Sequence, residues 1–223
     1  MIIPEEGSLL LVNKPKSWTS FDVVNKLRYL LKIKKIGHAG TLDPLASGLL
    51  LIGVGKYTKK LESLQGLDKT YEGIIEIGKT TPSFDLETPF DSSSDYMHVT
   101  PQQIAVAVEA LTGELDQIPP IYSAIKVNGQ RAYKSARKNE IIELKSRKIK
   151  VYKFEITRVH LPEIHFRVVC SKGTYIRSLA KDLGEKLGVG GYLKELVRTR
   201  VGGYKLENAF QLEQLVDQIN SEK

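Results

Sequence analysis

The sequence predicts a single α/β domain built on a mixed sheet. Strand-like apolar runs and amphipathic segments of helical period follow one another in mixed order along the chain, the pattern of helices packed on a sheet. Neither a fixed-period repeat nor a Pro-, Gly- or Ser-rich linker divides it. At 223 residues, with 41% hydrophobic and 26% charged residues, the chain can bury a substantial core.

Ser8-Leu-Leu-Leu-Val12 reads as a short buried strand, closed by Asn13-Lys14-Pro15-Lys16. A helix follows, capped by Thr19 or Ser20, with Phe21, Val23, Val24, Leu27, Leu30 and Leu31 at helical spacing. Its other face is basic: Lys26, Arg28 and Lys32, continued by Lys34 and Lys35. The chain then enters Gly37-His-Ala-Gly-Thr-Leu-Asp43-Pro-Leu-Ala-Ser-Gly48, the stretch around which the sequence is organised. Its glycines free the backbone, while Pro44 fixes its own φ and pushes Asp43 toward extended conformations. Asp43 is therefore expected on a stiff loop just ahead of the buried strand Leu49–Gly55. His38 belongs to the same loop.

Tyr57 to Leu64 reads as a short helix exposing Lys56, Lys59 and Lys60. Residues 68–78 have a strand pattern that includes Tyr71, and 80–99 read as polar loop. Thr100-Pro101 starts a helix with Ile104, Val108 and Leu111 inside, ended by Gly113. Asn128-Gly129 marks a tight turn, and residues 130–139 read as short, helical and basic, with Arg131, Lys134, Arg137 and Lys138 interleaved with Tyr133. Strands are predicted from Lys145 onward, wet on one face, and over Glu163–Cys170. Gly173-Thr174 opens a helix with Leu179, Leu183 and Leu187 inside. Periodicity does not decide between strand and helix for Tyr192–Val201; Leu212–Ile219 is a last short helix.

The formal charge of +7 and a pI near 9.3 point to a polyanionic partner, most simply nucleic acid. No apolar run approaches the roughly 20 residues that span a bilayer. Met1–Glu6 lacks the basic and apolar regions of a secretory signal. A single cysteine, Cys170, precludes an internal disulfide and reads as core. Together these features predict a cytoplasmic protein.

A stiffly held carboxylate needs a partner, and the best candidate for Asp43 is Arg177 at the start of the helix after Gly173. Arginine stays ionised and grips carboxylate with two parallel donors, keeping it charged and oriented. An arginine taken alone binds a phosphate or lies on the surface more often. Tyr71 offers an aromatic face for a stacked base, although a lone strand tyrosine is more often core. Gly73–Thr80 formally fits a phosphate-loop pattern, but its residues are strand-like and Pro82 follows, so no nucleotide site is expected. Asp91–Asp95 lacks the glycine and distal glutamate of a calcium loop, and His160, Glu163 and His165 lack metal-ligand spacing.

Gly37–Gly48 resembles the catalytic motif of the TruB-type tRNA pseudouridine synthases, and the similarity runs through nearly the whole chain. Lys14-Pro15-Lys16-Ser17-Trp18-Thr19-Ser20 is similar to the family's opening Lys-Pro-x-Gly-x-Thr-Ser, with Ser17 where glycine is usual. Tyr71 in Lys69-Thr-Tyr71 matches the active-site tyrosine, and Asp85 in Thr81-Pro-Ser-Phe-Asp85 an acidic position. Tyr122 and Lys126, through Arg131, Tyr133 and Arg137, resemble an RNA-clasping insertion over 126–150. Ser171–Leu179, with Tyr175, resembles the motif that supplies the arginine, and Leu196 with Arg198 the segment closing the uracil pocket.

The resemblance implies a mixed, largely antiparallel sheet flanked by helices in a catalytic domain over 1–210, then a short C-terminal helix or tail over 211–223 without a full PUA domain. It implies isomerisation of uridine to pseudouridine at position 55 in the T loop of tRNA, with Asp43 as nucleophile and Tyr71 and Arg177 beside it. Lys14, His38, Lys59, Asp85 and the insertion residues are implied to bind RNA. No metal or redox cofactor, no membrane and no obligate protein partner is implied, and the protein is expected to act as a monomer. The alternative is a catalytically silent RNA-binding or tRNA-folding module. A phosphate-loop nucleotidase is remote.

Overall fold

The computed structural model describes residues 7–123, 126–127, 130–131 and 144–221. Strand β1 (Ser8–Lys14) is the first predicted strand extended by two residues. Helix α1 (Ser20–Leu31) starts where its cap predicts. The Asp22 N–H donates to the Thr19 hydroxyl at 3.0 Å and the Thr19 N–H to the Asp22 carboxylate at 2.8 Å, which satisfies donors that a helix start leaves open. Part of the expected loop is strand: β2 (Ile36–Ala39) pairs antiparallel with β3 (Ser47–Val54). A 3-10 turn (Gly55–Lys60) and α2 (Leu61–Gln65) stand where one short helix is predicted.

Next comes β4 (Lys69–Ile77). Within the polar segment, two-residue strands β5 (Lys79–Thr80) and β6 (Ser92–Ser93) pair with each other. Helix α3 (Pro101–Glu109) carries a Thr100–Gln103 capping box and ends before Gly113. Gly113 instead begins β7 (Gly113–Gln117), which the sequence did not reveal because Gly-Glu-Leu-Asp-Gln holds a single apolar residue. Strands β8 (Lys126–Val127) and β9 (Gln130–Arg131) pair antiparallel, so Gln130 and Arg131 are strand where helix was expected. The intervening Asn-Gly dipeptide in the sequence favours such a reversal. Tyr133 and Arg137 lie outside the described residues.

The remaining elements are β10 (Arg147–His160), β11 (Glu163–Cys170), α4 (Ile176–Lys186), β12 (Gly191–Val201), β13 (Tyr204–Lys205), β14 (Phe210–Gln211) and α5 (Leu212–Ser221). The undecided 192–201 segment is thus strand. Pairings are mixed and largely antiparallel, with β1/β14 and β3/β12 parallel. No described helix is long and apolar enough to cross a membrane.

The chain divides into two compact units, Met1–Glu72 with Leu196–Lys223, and Gly73–Glu195; β4 and β12 contribute to both. In the first unit the strand order is β14-β1-β3-β12, with β2 on β3 and β13 on β12. Both faces of β3 are covered. Leu50, Ile52 and Val54 pack with Val23, Val24 and Leu27 of α1 and Leu212 and Leu215 of α5, while Leu49 and Leu51 pack with Ala39, Leu64 and Val201. This is why residues 49–52 are an unbroken apolar run rather than an alternating one.

In the second unit the order is β12-β4-β11-β10-β7, with α3 against α4 and β10. Leu179, Leu183 and Leu187 are buried as their spacing predicts. Strand β10 buries Ile149 and Val151, then Phe154, because a register shift between Val151 and Lys153 moves the inward phase by one residue. Phe154 meets Phe166 of β11 edge-on, centroids 5.9 Å apart.

Candidate active site

Asp43 stands, half-buried, on the turn between β2 and β3, where the Ala46 N–H donates to its carbonyl at 3.1 Å. Both neighbours in the chain are tied down. On one side the Leu42 N–H donates to the Ser20 hydroxyl at 2.9 Å, and that hydroxyl donates to the Leu42 carbonyl at 3.2 Å. On the other side the Pro44 carbonyl accepts from the Ser17 N–H at 2.8 Å and from Lys14 Nζ at 3.4 Å. Ser17, at the position where the resembling motif has glycine, takes a φ of +70° that glycine adopts freely and other residues adopt at a cost.

Lys14 is the last residue of β1 and is fully buried. Its ammonium donates to the carbonyls of Pro15 at 2.9 Å and Trp18 at 2.6 Å, besides Pro44. Burial pulls its pKa down to about 8, against the opposing pull of the Asp43 carboxylate and with further lowering by Arg198. Arg198, 1% exposed on β12, donates to the carbonyls of Leu49 at 2.8 Å, Gly40 at 3.1 Å and Thr41 at 3.4 Å. The polypeptide is close enough here that a side chain at Gly48 would collide with the Arg198 carbonyl oxygen. His38 lies on β2, and burial followed by the Arg198 guanidinium pushes its imidazole below the ordinary range. A carboxylate-bearing loop braced from Ser17, Ser20, Lys14 and Arg198, with His38 on the strand that leads into it, is the arrangement this unit presents.

Tyr71 is buried on β4 and Leu196 on β12. Lys59 is exposed on the 3-10 turn.

Arg177, in the first turn of α4, is 3% exposed and belongs to the second unit. There it donates to the carbonyls of Ser83 at 3.1 Å and Tyr122 at 2.9 Å, and its Nε lies 3.6 Å from the Asp85 carboxylate. Asp85 is buried too; its carboxylate accepts from the Glu87 N–H at 2.9 Å, and its carbonyl accepts from Thr81 at 2.7 Å and Ser83 at 3.1 Å. Tyr175, which precedes α4, exchanges two hydrogen bonds with Gln117: the Tyr175 N–H donates at 2.8 Å and the Gln117 amide donates back at 3.0 Å. Tyr122, Tyr175, Asp85 and Arg177 are thereby brought together around the chain leading to the 126–150 segment. Lys126 and Arg131 lie on β8 and β9.

Sequence reasoning missed Ser17, Ser20 and Gln117 as supports. Ser20 carried a signal, being one of two possible caps before the helix, whereas Gln117 carried none. The Gly73–Thr80 pattern lies on β4 and β5, and Lys79 pairs with Glu76 at 3.5 Å rather than opening a helix. His165 and Glu163 lie 3.7 Å apart on β11, with Glu163 also bonded by Lys194 at 2.6 Å.

Two family descriptions match the chain: TruB family pseudouridylate synthase, N-terminal domain, over residues 28–176, and tRNA pseudouridylate synthase B C-terminal domain over 177–223. A tRNA pseudouridine synthase B of Flavobacterium johnsoniae is 54% identical over 214 residues, covering 93% of this chain and 93% of that protein. One of Phocaeicola vulgatus is 47% identical, covering 98% and 96%. Among solved structures, a Cbf5-Nop10-Gar1 complex matches with a TM-score of 0.75 and 32% identity over 96% of this chain, which spans about half, 54%, of that one. With family descriptions matching both parts of the sequence and relatives of about half identity over nearly its whole length, the chain belongs to the TruB family of pseudouridylate synthases.

Proposed function

We propose that this enzyme isomerises uridine to pseudouridine at position 55 in the T loop of tRNA, with Asp43 as the nucleophile. The observation that carries the reading is the bracing of Asp43: Leu42 and Pro44 are each bonded to residues distant in sequence, so the backbone that presents the carboxylate is held before any substrate arrives. Holding a nucleophile in place lowers the entropic part of the barrier.

The target base cannot react within a folded loop, so it is flipped out, and Tyr71 provides the face on which it stacks. Asp43 attacks covalently, at the base or at the ribose anomeric carbon. The glycosidic bond from nitrogen breaks, the uracil turns within the site, and a carbon–carbon bond to the ribose replaces it as the bond to Asp43 breaks and returns its electron pair to the carboxylate. The displaced ring proton is lost from carbon, with Tyr71 as acceptor candidate, and a proton is gained at nitrogen. Substrate and product have the same composition, so no net oxidation occurs. Arg177 is the arginine assigned to Asp43, His38 supports the rearranged RNA loop, Leu196 and Arg198 close the uracil pocket, and Lys14, Lys59, Asp85, Tyr122, Lys126, Arg131, Tyr133, Arg137 and Tyr175 complete the RNA contacts. The relatives' names support tRNA as the substrate.

Tritium release from T-arm RNA labelled at uracil C5 tests the reading. Wild-type protein releases tritium and Asp43→Asn releases none. Release that survives the substitution removes Asp43 as nucleophile; RNA binding without release by the wild type leaves only a binding module.

A further inference from the structure

We infer that the exposed face of α1 and the residues just after it form a second RNA-docking surface, separate from the substrate pocket, that holds the tRNA beside its modified loop. The inference rests on the tRNA reading above.

Phe21, Asn25 and Tyr29 recur at intervals of four along α1 and so form one stripe. Phe21 is 56% and Tyr29 81% exposed, unusual values for large aromatic side chains in a helix whose opposite face is fully packed. Lys26 and Lys32 flank the stripe, and Lys34 and Lys35 follow it; all four are exposed. The Arg28 guanidinium lies 5.6 Å from the Phe21 ring centre, and its Nη2 donates to the Ile36 carbonyl at 2.7 Å.

Between residues 21 and 35 there are five basic residues and one acid, Asp22. Asp22 is bonded to Thr19 at the helix start, away from the lysines at the other end. The basic strand β10 differs: Lys148, Lys150 and Lys153 have Asp116, Glu114 and Glu155 as ion-pair partners. Aromatic rings interleaved with lysines that have no acidic partner among the described residues suit RNA, where unpaired bases stack and phosphates need countercharge. A protein partner of acidic character would not call for the exposed rings in the same line.

The location fits. Ser20 pins the loop carrying Asp43 through Leu42, and the stripe starts at the next residue. From Phe21 to Tyr29 it extends about 12 Å along the helix, at about 1.5 Å per residue. RNA delivered to Asp43 therefore has a basic, aromatic track beginning beside the loop.

The test compares full-length tRNA binding by the wild type, Tyr29→Ala, a triple Lys26→Gln/Lys34→Gln/Lys35→Gln variant, and a control triple Lys153→Gln/Lys186→Gln/Lys205→Gln with the same change in charge, at residues outside the 126–150 insertion. Thermal melts check folding, and tritium release at saturating RNA checks chemistry. Tyr29→Ala is expected to weaken binding about tenfold, the loss of one stacked base. The α1 triple is expected to lower the slope of log affinity against log salt by about two. Both keep the wild-type rate at saturating RNA. Unchanged affinity and slope overturn the inference, as does an equal loss in the control triple. If the wild type binds tRNA through this face but releases no tritium, the docking surface stands and the isomerase reading falls.

Discussion

Ser20 and Leu42 are joined by two hydrogen bonds through a single hydroxyl, which accepts from the Leu42 N–H at 2.9 Å and donates to the Leu42 carbonyl at 3.2 Å. The pair lies 22 residues apart in sequence and both members are buried. A helix start thus fixes the backbone one residue before Asp43.

Ser20→Ala removes both bonds and leaves a buried N–H and carbonyl without this partner. The expected cost is about 2 kcal/mol of stability. Because the displaced backbone adjoins Asp43, kcat should fall about tenfold while KM changes little. Steady-state kinetics together with urea denaturation check both; a wild-type kcat would show that the loop is held without this bond.

Ser17 holds a φ of +70° at a place where glycine would be unstrained. Ser17→Gly should raise stability by about 0.5–1 kcal/mol, the relieved strain exceeding the greater chain entropy of glycine. Unfolding midpoints report the sign. A loss of stability would mean that the serine side chain compensates for its backbone.

Lys14 has a folded-state pKa of about 8, below its ordinary 10.5, because burial disfavours the cation. Between these values the unfolded chain holds a proton that the folded chain lacks, so stability attributable to Lys14 rises as pH increases from about 8 to 10.5. The difference in unfolding free energy between wild type and Lys14→Met should shift in favour of the wild type across that window. A difference independent of pH would show that the lysine remains charged in its site.

Lys194 bonds Glu76 at 2.8 Å and Glu163 at 2.6 Å, joining β12 to β4 and β11 within the second unit. Burial works to raise the Glu76 pKa, but hydrogen bonds from Lys194 and Tyr192 outweigh it and hold the carboxyl below its ordinary range. Lys194→Met should cost about 2–3 kcal/mol at neutral pH, since it strands a buried carboxylate. A depressed carboxyl pKa supplies stability above its ordinary value of 4.5 that is lost as pH falls further. The gap between variant and wild type should therefore narrow below that pH. Denaturation at pH 7 and pH 4 checks the trend.

Much of the site was legible in the chain. Gly37–Gly48 announced a stiff acidic loop before a buried strand, and Asp43 does stand on such a loop ahead of β3. Thr19 announced the start of α1, and Thr100-Pro101 that of α3. Asp85 and Arg177 were each singled out, but nothing in the sequence indicated that they would be neighbours, because their 91 intervening residues carry no local rule. The change in the inward phase of β10 after Val151 could not be read from the chain, since a bulge leaves no mark on apolar periodicity.

The sequence by itself determined which short segments are stiff, capped or apolar, because those properties depend on residues within a few positions of one another. Only the tertiary structure decided that Tyr192–Val201 is strand, that Gly113–Gln117 joins a sheet, and that Arg198 closes on the carbonyls of Gly40 and Thr41. Each of these depends on a hydrogen-bonding partner far along the chain. Backbone groups and a buried guanidinium accept whichever partner the fold brings to them, and no local pattern records that choice.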